Sequence, residues 1–343
     1  MSSYTNLKLG KPKNSEIEIE GEISVEVMDG WIKSVRAKLL ENFEAPGFRK
    51  GHVPEEIFLK HMDEMQMLEK AAEDALGEAY PEIIRDNGIK TLGMPIISIT
   101  KIAPKNPLGF KMRVGLAPEV SLPNYKKIAK NIMAEKSEEV IVSDHEVEGA
   151  VKQLRQMVHG TTPGADAKKE PEALTDETVK KFGDFKSADD FMAKLRESIK
   201  KEKEMEQKRQ KREKLAEELV KNTKIILPEI VLNQEVNAAR ENLYEDAKRA
   251  GITPEDYLKQ INKTEKELLA EQKGYIERQM KTRFILEKIA EEEKIKVPAE
   301  EVEREAALLK TRYKNTDIEN LKDYAELVMK NEKVLRFLEE GEK

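Results

Sequence analysis

The chain has no cysteine among its 343 residues. Disulfides and thiolate chemistry are closed to it, and the absence suits a reducing compartment. Aromatic residues are scarce, at 5%, and no stretch approaches the ~18 consecutive apolar residues of a membrane span. Met1 to Lys13 carries no apolar run of the kind a secretory signal needs, so a cytoplasmic protein without membrane contact is expected. A glycine-rich phosphate loop is missing too, since Gly47 and Gly51 neither follow a strand nor precede Lys-Ser or Lys-Thr. His145-Glu146 lacks the second histidine of a zinc-protease helix, and His52, His61, His145 and His159 stand apart. The expectation is no catalytic residue, no metal site and no cofactor.

Charge is what the chain has in plenty. Asp, Glu, Lys and Arg make up 37% of it, with a net charge of −6. That balance argues against coating nucleic acid through an overall field, and leaves RNA contact to a local patch. Hydrophobic residues are 38%, or roughly 41% with glycine counted and tyrosine left out, below the ordinary ~45–50%. Long two-faced helices with much exposed surface fit this better than a compact enzyme. The length allows two or three domains.

From Glu16 to Ile23 glutamates alternate with Ile17, Ile19 and Ile23, the period-2 pattern of a half-buried strand, and Tyr4 to Leu9 is its expected partner. From about Ser24 the period changes, and Val27, Trp31, Val35 and Leu39 recur every four residues as one face of a helix. A short helix carries Ile57 and Phe58. A longer one follows, with Met65, Leu68, Ala72, Leu76, Tyr80 and Ile84 in a stripe ending near Asn87-Gly88. Ile96 to Ile102 and Phe110 to Leu116 read as two strands around a turn at Pro104 to Pro107. Residues 1–120 are thus a small α+β domain, and 121–142, with Lys126 to Ala134, reads as an extended linker.

Ser143 and Glu146 have capping-box spacing ahead of Val147, Val151 and Leu154. Ala188 to Lys224 reads as one very long helix. Its middle, Lys200 to Lys214, holds eight cations that could grip RNA but read better as a solvated strut. Beyond Leu227-Pro228 come further helices joined by short capped loops, with Gly251, Thr253 and Pro254 as stop, cap and restart. Residues 143–343 are expected to be a helical domain with long arms, making an elongated, multi-domain molecule.

Between the first helix and the second lies Pro46-Gly47-Phe48-Arg49-Lys50-Gly51-His52-Val53-Pro54. Two glycines and two prolines stop both helices and force a tight tip bearing Phe48, Arg49 and Lys50. Gly47-Phe48-Arg49-Lys50-Gly51-x-x-Pro54 resembles the ribosome-docking signature of the trigger factor family, bacterial chaperones that meet nascent chains at the ribosomal exit tunnel. The order of elements over the first ~120 residues, and the helical body after residue 143, resemble that family as well. The resemblance implies that Gly47, Phe48, Arg49, Lys50, Gly51 and Pro54 bind the ribosome near the exit tunnel. Arg49 and Lys50 would meet ribosomal RNA phosphate or acidic side chains of a ribosomal protein, while Phe48 packs into the surface. His52 departs from the pattern, because family members commonly carry a cation there, and weaker docking at neutral pH is expected.

A larger departure lies at residues 160–175. The family inserts a peptidyl-prolyl isomerase domain at this point, whereas here a polar, turn-rich linker leads straight to Thr175 to Phe185, which resembles the chain's return from that domain. The resemblance therefore implies a ribosome-associated holdase that binds nascent or unfolded polypeptides, assists folding and export, and is not an isomerase. Self-association is a further implied property. Clients are expected on apolar helix faces beyond what a slim bundle covers: Leu232, Val236, Leu243, Met280, Phe284 and Leu308. Two other readings are a helical adaptor with one specific partner, and isomerase activity surviving in an unrecognised form.

Overall fold

The computed structural model describes residues 3–136, 139–161 and 174–341. The sequence linker at 160–175 falls largely outside them. The chain gathers into two compact units, each made of two stretches of sequence: residues 1–122 with 223–288, and residues 123–222 with 289–343. The sequence suggests a division by chain order, at 120 and 142, but compactness follows contacts and brings residues 223–288 to the N-terminal stretch.

The first unit begins with β1 (Thr5–Leu9) and β2 (Glu16–Ile23), followed by α1 (Val25–Asn42), α2 (Glu55–His61) and α3 (Glu64–Asp86). Then come β3 (Thr91–Lys101), β4 (Leu108–Leu116) and the short β5 (Val120–Ser121). The four longer strands form an antiparallel sheet in the order β1-β2-β4-β3. The alternation seen in sequence sets its faces. Ile17, Ile19, Ile23, Leu108, Phe110, Met112 and Val114 are buried with α1 and α3 in one core. On the opposite face Lys111 bonds Glu18 at 2.9 Å and Arg113 bonds Glu16 at 3.2 Å.

Side-chain caps start α1 and α3. Ser24 Oγ accepts from Val27 N, and Asp63 Oδ1 accepts from Met65 N at 2.8 Å. Along α3 the buried residues include Ala71, Ala72, Ala75 and Ala79, small enough for α1 to approach closely.

The later part of this unit holds β6 (Lys224–Ile225), paired with β5, then α7 (Glu229–Arg249), α8 (Pro254–Gln260) and α9 (Glu265–Glu292), whose last turn is counted in the second unit. The start of α7 is seated on the sheet. Glu16 Oε1 accepts from the backbone N–H of Ile230 at 2.9 Å, serving as an N-terminal cap from 214 residues away. Gln234 bonds both backbone groups of Met94, at 2.8 and 3.1 Å. Val231 sits over Gly93 and Gly115; a Cβ on Gly115 would lie 2.6 Å from Val231 Cγ2.

The second unit contains α4 (Tyr125–Ala134), α5 (Asp144–Thr161), a 3-10 turn at Val179–Lys181, α6 (Ala188–Asn222), α10 (Ala299–Arg312) and α11 (Ile318–Glu340). The extended connector expected at 126–134 is instead the helix α4. Asn124 caps it by accepting from Lys127 N at 3.0 Å, and its Tyr125, Ala129 and Ile132 are buried. The capping box forms: Glu146 Oε2 accepts from Ser143 N at 2.9 Å while Ser143 Oγ accepts from Glu146 N at 3.3 Å. Val151, Val179 and Phe191 make a small core closed by Phe182 and Phe185, whose rings lie 5.3 and 5.0 Å from that of Phe191. This cluster fastens the chain where it re-enters after the linker.

Candidate docking loop and client surface

Residues 43–54 join α1 to α2 as a closed loop. At its base, Gly51 N donates to Phe43 O at 3.1 Å. Phe43 meets the fully buried Phe58 edge to face, with centroids 5.2 Å apart, and Val53 is buried beside this floor of the loop. Across the helices Arg36 bonds Glu55 at 2.8 Å. Two tight turns shape the tip, one closed by Phe48 N to Ala45 O at 3.1 Å and the other by His52 N to Arg49 O at 2.9 Å. Gly47 and Gly51 take φ of +87° and +73°, a region costly for residues with a Cβ. Gly51 is doubly constrained, because a Cβ there would also lie 2.8 Å from the backbone oxygen of Glu41.

Phe48, Arg49 and Lys50 are all exposed at this tip, Phe48 at 41%. Among the described residues neither cation makes an ion pair, so both guanidinium and ammonium face outward. A benzyl ring flanked by two uncommitted cations on a braced backbone suits a surface offering phosphate or carboxylate groups around an apolar dent. Pro54 stands at the N-cap of α2, its carbonyl accepting from Ile57 N and Phe58 N.

The eight cations of the α6 middle are all engaged within the protein. Lys203 bonds Glu146 at 2.5 Å, Lys208 bonds Glu339 at 3.1 Å, Lys214 bonds Glu135 at 2.6 Å, and Arg212 joins Glu332 at 2.8 Å and Glu339. Lys200, Lys201 and Arg209 pair along the helix, and Lys211 donates to the carbonyls of Met133 and Glu135. The basic run is a strut, as its mixed charge implied. Its cations tie α6 to Glu135, to Glu146 and to α11.

The six expected client residues part company. Leu232, Val236 and Phe284 are buried, at 6, 8 and 9% exposure, and are corrected here to core positions. The reason is ordinary: leucine, valine and phenylalanine in a helical stripe are covered by whatever that stripe packs against. Leu243 and Met280 are half-buried, while Leu308 is exposed at 62%. Other apolar side chains, outside the six expected from the sequence, are open: Tyr313, Ile318, Tyr324 and Val328 around α10 and α11, and Tyr275 on α9.

A braced basic-aromatic tip on an α+β module, followed in the chain by a mainly helical module, is the make-up of a molecular chaperone. Two family models match the chain: Bacterial trigger factor protein (TF) at residues 5–154 and Bacterial trigger factor protein (TF) C-terminus at residues 187–340. The chain belongs to the trigger factor family, and is a ribosome-associated molecular chaperone of that family, whose members bind ribosomes and unfolded polypeptides. The trigger factor of Clostridium kluyveri is 22% identical over 426 aligned positions, covering 98% of this chain and 99% of its own. That of Streptomyces avermitilis is 23% identical, covering 84 and 79%. A solved structure described as "Promiscuous Substrate Recognition in Folding and Assembly Activities of the Trigger Factor Chaperone" has the same fold, with a TM-score of 0.56, 18% identity and coverage of 98 and 99%. An alignment of 426 positions against 343 residues leaves a large block of the relative without counterpart, and the family's middle isomerase region is absent here. No helix among the described residues is long and apolar enough to cross a membrane.

Proposed function

We propose that this chaperone docks on the ribosome through Phe48, Arg49 and Lys50, acts in the cytoplasm as a holdase, and has no prolyl isomerase activity. The outward-facing tip between Gly47 and Gly51 supports the first part most directly. Arg49 and Lys50 bind ribosomal RNA phosphate or the carboxylates of a ribosomal protein, and Phe48 fills a neighbouring apolar dent. Gly47, Gly51 and Pro54 contribute by shape. Clients are held by dispersed apolar side chains with polar residues between them, Leu308, Leu243 and Met280 among the original candidates together with Tyr313, Tyr324 and Val328. Such contacts are individually weak and sequence-tolerant.

Co-sedimentation with ribosomes tests the docking. Wild type should pellet, and the Phe48→Ala/Arg49→Ala/Lys50→Ala variant should lose at least tenfold in affinity while suppressing aggregation of a denatured protein as before. Wild-type pelleting should also fall as salt rises, because the contact is partly ionic. Equal pelleting of the two proteins would remove the loop from the mechanism. A proline-limited refolding assay should run at the uncatalysed rate.

A further inference from the structure

β3 is an edge strand, and natural edges are usually blunted by charge, proline or cover. This one is blunted over its first half only. At Met94 the Gln234 side chain accepts from the backbone N–H and donates to the backbone C=O, so that one amide stands in for a neighbouring strand. Pro95 comes next. From Ile96 to Lys101 the outer edge has no hydrogen-bond partner among the described residues, and Thr91 to Thr100 is an unbroken run without Asp, Glu, Lys or Arg in a chain that is 37% charged.

The edge is apolar on both faces of the sheet. Ile97 and Ile99 pair with Met112 and Phe110, which places them on the buried face, yet they remain 36 and 38% exposed. Ile96 pairs with Arg113 on the opposite face and is 47% exposed. A strand laid alongside would find main-chain donors and acceptors in the plane and isoleucines above and below it.

We infer that Ile96 to Lys101 is a docking strand on which an extended apolar segment of an unfolded polypeptide adds to the sheet as a fifth strand. The inference rests on the chaperone reading and deepens it, by assigning one class of client contact to backbone pairing in the first unit. Main-chain pairing is tolerant of sequence, as a promiscuous holdase requires. Size favours a client segment over a second copy of the chain. Six residues of strand span ~20 Å, and such an edge covers far less than the ~800 Å² per partner of a stable interface.

The test uses the full chain and a fluorescein-labelled eight-residue peptide of alternating valine and threonine. Two further versions are N-methylated at alternate residues, so that in each one edge cannot donate. The parent peptide should bind, and one of the methylated versions should bind at least tenfold more weakly. Ile96→Lys and Ile96→Lys/Ile99→Lys should weaken the parent peptide at least tenfold and lower suppression of aggregation of citrate synthase diluted from guanidinium. Both methylated peptides binding as well as the parent would overturn the proposal, and because wild-type protein is used that result does not depend on the variants folding. A dimer in sedimentation that the double variant dissociates would overturn it in favour of a second copy. Failure of wild type to suppress aggregation, with the peptide pattern intact, would instead sink the chaperone reading and leave the edge pairing standing.

Discussion

Two glycines four positions apart at the docking tip, Gly47 and Gly51, differ in what they forbid. Gly47 has open space where a Cβ would go, so Gly47→Ala should cost only the left-handed conformation, about 1–2 kcal/mol. Gly51→Ala adds a collision with the Glu41 backbone oxygen and should lower the melting temperature further, with a larger loss of ribosome pelleting. Similar losses for both would mean that the tip relaxes around the extra methyl. These positions were legible in the sequence because glycine, proline and charge act locally. Leu232, Val236 and Phe284 were not, since an amphipathic stripe marks an apolar face without saying what lies on it. Gly93 and Gly115 did carry a signal: a lone glycine within a strand often marks a close backbone approach, here that of Val231.

Among the elements, α6 depends most openly on ionisation. Hydrogen bonds from Lys203 and from the Ser143 backbone hold the Glu146 carboxyl down at about 2. The folded value lies below the unfolded one, so its stabilising effect is complete above the ordinary carboxylate range near ~4.3 and is lost as pH falls toward 2. Hydrogen exchange of residues 139–146 should therefore accelerate as pH drops from 5 to 2, beyond the intrinsic pH effect on exchange; unchanged protection would assign the hold on this segment to apolar contacts. Arg212 is a second anchor, and its bonds to Glu332 and Glu339 push its own pKa up and both carboxyls down, although burial works the other way on Glu339. Arg212→Ala leaves two half-covered carboxylates facing each other and should cost about 2 kcal/mol in a denaturant titration. The strut itself was readable from its mixed charges, as was the capping box at Ser143. The helix α4 was not, because its lysines hide a face formed only by Tyr125, Ala129 and Ile132, and burial rather than propensity makes it a helix.

The sequence order of modules says little about which residues end up together. The α+β module and the helical module were visible as patterns, but the seat of α7 on the sheet joins residues more than a hundred positions apart, and no local pattern encodes that. All buried residues of the sheet core lie between Ile17 and Val114, so a fragment of residues 1–122 should unfold cooperatively on its own in urea, with a lower midpoint than the full chain. A midpoint equal to the full chain's would mean that α7 adds nothing to the sheet. The interleaving also has a consequence in time. Translation delivers the docking tip and its sheet first, then residues 123–222, and only afterwards Val231, which fills the notch over Gly93 and Gly115. At ~5–20 residues per second the notch stands empty for on the order of ten seconds. During its own synthesis this chaperone is a nascent chain whose N-terminal sheet residues are all made before the residue that covers their notch.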